Sequence, residues 1–190
     1  MMQRPIARRT MLGAIAAIGA SAVVPLDRLF AAAAAETLTP VALPPPISAA
    51  ERTARIARAQ ALMQRAGIGA VVAEAGPSLE YYTGIQWFRS ERLTAAVIPA
   101  RGAPVIVTPF FERPSVAETL DVPAEVRTWN EDEEPLKLVA DFLRERGVSS
   151  EPVGFEETDR FFIFDRLRQQ LHQASMVSAN PVIRAQRMIK

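Results

Sequence analysis

Histidine occurs once in these 190 residues, at position 172, and cysteine not at all. Disulfide frameworks, thiolate zinc sites, cysteine nucleophiles and sites assembled from several histidines are therefore excluded. His172 follows the polar stretch Arg168-Gln169-Gln170-Leu171, where an imidazole complements the negative end of a helix dipole. A metal ligand needs companions nearby, and the local sequence offers none. Ser78, Ser90 and Ser115 have no histidine partner by local spacing, so nucleophilic serine chemistry is unsupported. Gly67-x-Gly69 stands where a helix enters a strand, the reverse of the order that cradles a dinucleotide. Two acidic runs remain. Glu156-Glu157-Thr158-Asp159 can do acid–base work or hold a divalent ion, but at a strand-to-helix junction it reads first as capping by Thr158 or Asp159. Glu131-Asp132-Glu133-Glu134 reads as acids at the positive end of the following helix.

One stretch is unusual in type and spacing. From Tyr81 to Arg92 the chain reads YYTGIQWFRSER, with both tyrosines and one of the two tryptophans inside seven residues, then two arginines. Aromatic side chains offer rigid contact area, and guanidinium groups offer planar paired donors for carboxylates. Tyr81 and Tyr82 are expected to pack under a sheet, whereas Trp87, Arg89 and Arg92 are expected to face a ligand or partner.

These residues need a frame. Ser48-Ala49-Ala50-Glu51 is a capping box, with Ile47 placed as a staple, that opens a helix to about residue 66 closed by Gly67. Ile56, Ala59, Met63 and Ala66 fall on its inner face, and arginines 52, 55, 58 and 65 are expected on a solvated one. An apolar strand over 69–73 and a helical turn capped by Ser78 lead to the aromatic stretch. Apolar runs at 93–99 and 104–108 suit an antiparallel hairpin. A short helix at 115–120 and a strand at 125–129 precede an amphipathic helix at 134–146 with Leu136, Val139, Ala140 and Leu143 inward. A strand at 153–156, a helix at 159–171, a strand at 175–178 and a helix opened by Asn180-Pro181 complete the series. Alternating β and α elements with one hairpin imply a three-layer α/β domain around a mixed sheet.

The amino terminus reads as an address. Arg8-Arg9, two apolar residues after one spacer, and a weakly apolar run of about a dozen residues match a twin-arginine export signal. The run is shorter than the roughly 20 residues a membrane span needs. Cleavage is expected near 31–36, in the alanine tract, giving a periplasmic protein that touches membrane only through its signal. A spacer with four prolines, 36–47, follows. The net charge of +1 falls to −2 without residues 1–35, so no basic field recruits nucleic acid.

A helix followed by GIGAVVAEAGPSLEYYTG, an aromatic–arginine loop, the hairpin LTAAVIPARGAPVIVTP and the closing VSANPVIRAQRMIK resembles the N-terminal domain of the creatinase/prolidase/aminopeptidase P family of metallopeptidases. The resemblance covers residues 48–190, with 48–180 as the domain. Residues 181–190, including Pro181, Arg184, Arg187 and Lys190, are similar to the start of the linker helix leading to a catalytic domain. It implies a three-layer α/β/α fold with a mixed sheet of ribonuclease H-like topology, in a two-domain enzyme acting on Xaa-Pro bonds or, in the creatinase branch, on creatine. Divalent manganese, cobalt or zinc is implied only in the catalytic domain, bound there by two Asp, one His and two Glu. No cofactor, metal ligand or catalytic residue is thereby assigned to this chain, and His172 does not correspond to the family's histidines.

What the resemblance carries over is the loop. It implies that Arg92 reaches across a dimer to a substrate carboxylate in the neighbouring active site, with Trp87 as an aromatic wall and Arg89 beside it. Ser90, where the creatinase branch has an aromatic residue, turns the expectation toward a prolyl peptidase. The expected role is a non-catalytic domain giving dimer contacts and substrate-end recognition to an exported Xaa-Pro peptidase. Its expected partners are a second copy or the metallopeptidase catalytic domain, and proline-containing peptides. The alternatives are a stand-alone peptide-binding or partner-pairing module and, more remotely, a hydrolase using Glu156, Glu157 and Asp159.

Overall fold

The computed structural model describes residues 43–188. The paired arginines Arg8 and Arg9, the cleavage region and most of the proline-rich spacer lie outside them. Six strands supply the frame, four of them buried throughout and so needing cover on both faces. The elements run α1 (Ala49–Ala66), β1 (Ala70–Glu74), α2 (Pro77–Thr83), β2 (Ala95–Pro99), β3 (Val105–Pro109), a 3-10 turn (Phe110–Glu112), α3 (Arg113–Thr119), β4 (Glu125–Trp129), α4 (Pro135–Glu145), β5 (Val153–Phe155), α5 (Phe161–Gln170), β6 (Met176–Ser178) and α6 (Asn180–Arg187).

The sheet order is β4-β3-β2-β1-β5-β6. β2 pairs antiparallel with both β1 and β3, while β1–β5, β5–β6 and β3–β4 are parallel. The expected hairpin is β2–β3, with Ala96 opposite Ile106. Alternation sorts the strand side chains between two cores. Val72, Val97, Val107 and Phe155 face α4 and α5, where Leu136, Val139, Phe142, Ile163 and Leu167 are buried. Val71, Ala96, Ile98 and Ile106 face Ile56, Ala59 and Met63 of α1, Leu79 and Tyr82 of α2, and Val182 and Ile183 of α6. The result is the three-layer mixed α/β architecture expected from the sequence.

Local signals worked unevenly. The Ser48 hydroxyl accepts from the Glu51 amide at 3.2 Å, and Gly67 closes α1 in the left-handed region at φ 66°. Yet the Glu51 carboxylate pairs with Arg55 instead of turning back to Ser48, and Ile47 is exposed. Arg52 and Arg55, expected in solvent, are both buried: Arg52 bonds Asp121 and the Glu80 carbonyl, and Arg55 lies over the Tyr81 ring. α2 packs against that face of α1, so the guanidinium groups satisfy its C-terminal carbonyls. Three expected caps are displaced as well. Gly76, Arg160 and Ala179 occupy the N-cap positions of α2, α5 and α6, leaving Ser78, Asp159 and Asn180 to other partners.

Candidate functional site

Because β1, β3, β4 and β5 run the same way, their carboxyl ends share one edge of the sheet with the amino end of β2. Ligand sites of open α/β sheets form at such edges. Segments 75–94, 110–113, 130–134 and 156–160 all emerge there.

The aromatic stretch is the longest of them, and both its ends are fixed. At entry, Gly84 ends α2 with φ 88°, and a Cβ there would sit 2.7 Å from both the Thr119 carbonyl and the Asp121 carboxylate. The Thr83 hydroxyl donates to the Leu79 carbonyl at 2.6 Å and accepts from the Ile85 amide at 3.2 Å. At exit, Trp129 Nε1 donates to the Leu93 carbonyl at 3.1 Å, and the Ala75 amide donates to the Thr94 carbonyl at 2.8 Å. Between these anchors Phe88 is 91% exposed and Trp87 is half-buried against the core under α2.

Arg92 is presented at the same edge. Its Nε and Nη2 donate to Glu131 Oε1 at 3.1 and 2.6 Å, Nη1 pairs with Glu91, and the guanidinium carbon lies 5.3 Å from the centre of the exposed Phe111 ring. Glu91 and Glu131 are both well exposed, and their bonds favour the charged guanidinium. Arg89 bonds a different set of groups. It donates to the Ala75 carbonyl at 3.2 Å, the Thr158 carbonyl at 2.8 Å and Asp159 Oδ1 at 3.3 Å, and its Nε lies 3.3 Å from Glu74 Oε2. Trp87, Arg89 and Arg92 are thus all at least partly open to solvent, the Arg89 side chain at 37% and that of Arg92 at 33%, and Arg89 in addition bonds the buried acids Glu74 and Asp159.

Tyr82 is fully buried, its hydroxyl 3.1 Å from the Gln186 amide; burial holds its pKa far above the ordinary phenol value. Tyr81 packs edge-on against it. Both tyrosines are structural, as the sequence suggested. Ser78 is buried, and its hydroxyl accepts from Arg187 at 2.7 Å, tying α6 to α2.

The acidic junction behaves differently from a cap. Asp159 Oδ2 accepts from the Glu156 amide at 2.9 Å, which folds the 156–159 turn back on itself. Burial and the neighbouring Glu156 and Glu74 push the Asp159 pKa up to about 7, against the pull of that amide and of Arg89. Glu156 lies 3.4 Å from Arg187, and Glu157 accepts from Ser178 at 3.2 Å. A cleft of about 470 Å³ opens beside this turn, lined by Phe155, Asp159, Phe161, Phe164 and Met176. A second groove of about 690 Å³ runs between α1 and α6 past Arg55, Arg58 and Tyr81; Trp87 and Arg92 line neither. Among the described residues no group of three or more His, Cys, Asp or Glu is arranged to hold a metal ion. Glu74 and Asp159 already spend their oxygens on guanidinium groups and a backbone amide, so they do not fit a divalent cation. His172 lies exposed in the turn after α5.

Two residues of the edge escaped the sequence reading, Glu74 and Arg160. Glu74 ends an otherwise apolar strand and its side chain is fully buried. A carboxylate closing an apolar run was the available signal.

Against known proteins, the family model described as Creatinase/Prolidase N-terminal domain matches residues 55–189. A stretch of 91 residues is 34% identical to the probable dipeptidase PepE of Mycobacterium tuberculosis, covering 47% of this chain and 24% of that protein. The crystal structure of dipeptidase PepE from Mycobacterium ulcerans superposes with a TM-score of 0.66 at 31% identity, over 75% of this chain and 38% of that one. The Creatinase/Prolidase N-terminal domain of an X-Pro dipeptidase from Streptococcus pyogenes shares the fold at 15% identity, with a TM-score of 0.60 over 70% of this chain and 98% of that one. The chain thus spans well under half the length of the dipeptidases it matches.

Proposed function

The chain belongs to the creatinase/prolidase N-terminal domain family, and from that premise we propose that it is the non-catalytic domain of an exported Xaa-Pro peptidase-like protein. In this reading it pairs with a second copy and lends Arg92 to the neighbouring active site. The observation that carries the reading is the setting of Arg92. The loop carrying it is pinned at both ends, its guanidinium stands at the strand edge, and two exposed glutamates already occupy its donors. Those glutamates bind as a substrate carboxylate would, and exposed carboxylates exchange readily because surface ion pairs contribute only about 0–1 kcal/mol.

Three groups of the sheet edge divide the work. Arg92 clamps the free carboxylate of a short proline-containing peptide, a charge-assisted contact whose planar donors also fix orientation. Trp87 and the exposed Phe88 close the outer end of the neighbouring active site against longer peptides. The inward acids Glu74 and Asp159, balanced by Arg89, serve architecture. Bond cleavage and its divalent metal belong to the catalytic partner. Export rests on Arg8-Arg9: a reporter fused to residues 1–40 stays in the cytoplasm when both become lysine, and equal export would refute it.

The domain's role is tested by kcat/KM on Ala-Pro dipeptide and a matching tripeptide in the assembled peptidase. Arg92→Ala lowers kcat/KM on the dipeptide by about 10–100-fold, the worth of one hydrogen-bonded charge. Unchanged values on both peptides would refute the reading.

A further inference from the structure

We propose that Arg160 is a positioning residue for the segment that presents Arg92, with Glu74 as its buried counter-charge. The inference rests on the reading of Arg92 given above and assigns a role to two residues outside the aromatic stretch.

Arg160 enters from the start of α5 and spreads its donors over two segments. Its Nη1 donates to the Ser90 carbonyl, its Nη2 to the Arg92 carbonyl at 3.4 Å, and its Nε to Glu74 Oε1 at 2.5 Å. The two carbonyls flank Glu91, so one rigid guanidinium sets the backbone from which the Arg92 side chain springs. The plane is itself fixed: Glu74 bonds it from β1, and the Phe162 ring lies 4.7 Å from its carbon. Glu74 also accepts from the Arg160 amide at 3.4 Å and lies 3.3 Å from Arg89 Nε. Arg89 in turn bonds the Ala75 and Thr158 carbonyls. One carboxylate and two guanidinium groups therefore stitch together the end of β1, residues 89–92 and residues 158–160.

A burden of stability alone explains this arrangement poorly. Both faces of the sheet are already covered by apolar clusters. Burying a carboxylate costs several kcal/mol of desolvation, which its partners do little more than offset. What the cluster supplies beyond apolar packing is direction, since a planar fork fixes two carbonyls at once where an ammonium cannot.

The experiment follows amide hydrogen exchange in the 190-residue chain together with peptide kinetics in the assembled peptidase. Arg160→Ala is expected to speed exchange of the 86–92 amides by about tenfold while β2, β3 and α4 keep their protection. It raises KM for Ala-Pro about tenfold and leaves kcat within twofold, the size of one lost charge-assisted contact. Arg160→Lys, which keeps the charge beside Glu74 but loses the fork, is expected to fall between wild type and alanine, and it carries the test if the alanine variant does not fold. Unchanged exchange at 86–92 in both variants overturns the positioning role. So does faster exchange with unchanged KM where Arg92→Ala raises KM. Arg92→Ala is run alongside; if it leaves KM unchanged, the recognition reading itself fails, whatever the loop does.

Discussion

Arg160 Nε and Glu74 Oε1 meet at 2.5 Å although 86 residues separate them in sequence, and the Glu74 side chain has no solvent exposure. Breaking a buried pair from one side leaves the other charge unpaired, a loss of about 3–5 kcal/mol. Glu74→Gln strands parts of both Arg160 and Arg89, so it is expected to lower stability by about 3 kcal/mol. The urea midpoint at constant slope measures this. A loss below about 1 kcal/mol would mean that solvent reaches the pair more freely than the structure indicates.

Asp159 gives the stability a pH dependence of definite sign. Its carboxyl is held up at about 7 in the fold, against about 4 in an unfolded chain. The native state therefore binds this proton more tightly, and the contribution of Asp159 to stability falls as pH rises from about 4 to about 7. Above that window both states are ionised and the buried charge is fully opposed; below it neither is. The difference in unfolding free energy between wild type and Asp159→Asn, followed by denaturation from pH 4 to 8, should drift against wild type up to about pH 7 and then flatten. A flat difference throughout would show that Asp159 is normal.

Gly84 and Gly67 both sit at positive φ, but only Gly84 is crowded. An added Cβ at Gly84 meets the Thr119 carbonyl and the Asp121 carboxylate at 2.7 Å, whereas at Gly67 it meets nothing within 4 Å. Gly67→Ala is expected to cost about 1 kcal/mol from backbone strain alone. Gly84→Ala adds a backbone clash and is expected to cost about 3 kcal/mol. Thermal or urea denaturation of the two variants checks the order; equal losses would contradict it.

Glu131 competes for the Arg92 guanidinium through Nε and Nη2. Glu131→Gln should free those donors for a substrate carboxylate and lower KM for Ala-Pro severalfold. Because the pair is exposed and screened by solvent, stability should stay that of the wild type. An increase in KM would show that Glu131 holds Arg92 in its working position.

Much of the frame was legible because it is written in short-range patterns. The β2–β3 hairpin, the inward face of α4 and the closure of α1 by Gly67 each follow from spacing a few residues wide. The site was legible in part. Tyr82 and Tyr81 were readable as packing residues. The remainder depends on distant partners. Arg55 is buried because Tyr81 covers it, and Arg89 pairs with Glu74, at the end of β1, and with Asp159, in the turn before α5. Ser78 is taken by Arg187, 109 residues away, so a residue well suited to capping does something else. Local propensity ranks such side chains correctly by type and says nothing about which remote charge will claim them.

The central claim is that Arg92 reads the free carboxylate of a short peptide. The most direct measurement compares kcat/KM for Ala-Pro with that for its C-terminal amide, in the assembled peptidase with Arg92 and with Arg92→Ala. Removing the substrate's charge and removing the guanidinium should be equivalent, so wild type prefers the acid by at least about tenfold and the variant shows no preference. An Arg92→Ala variant that still favours the acid by the wild-type factor would contradict the account.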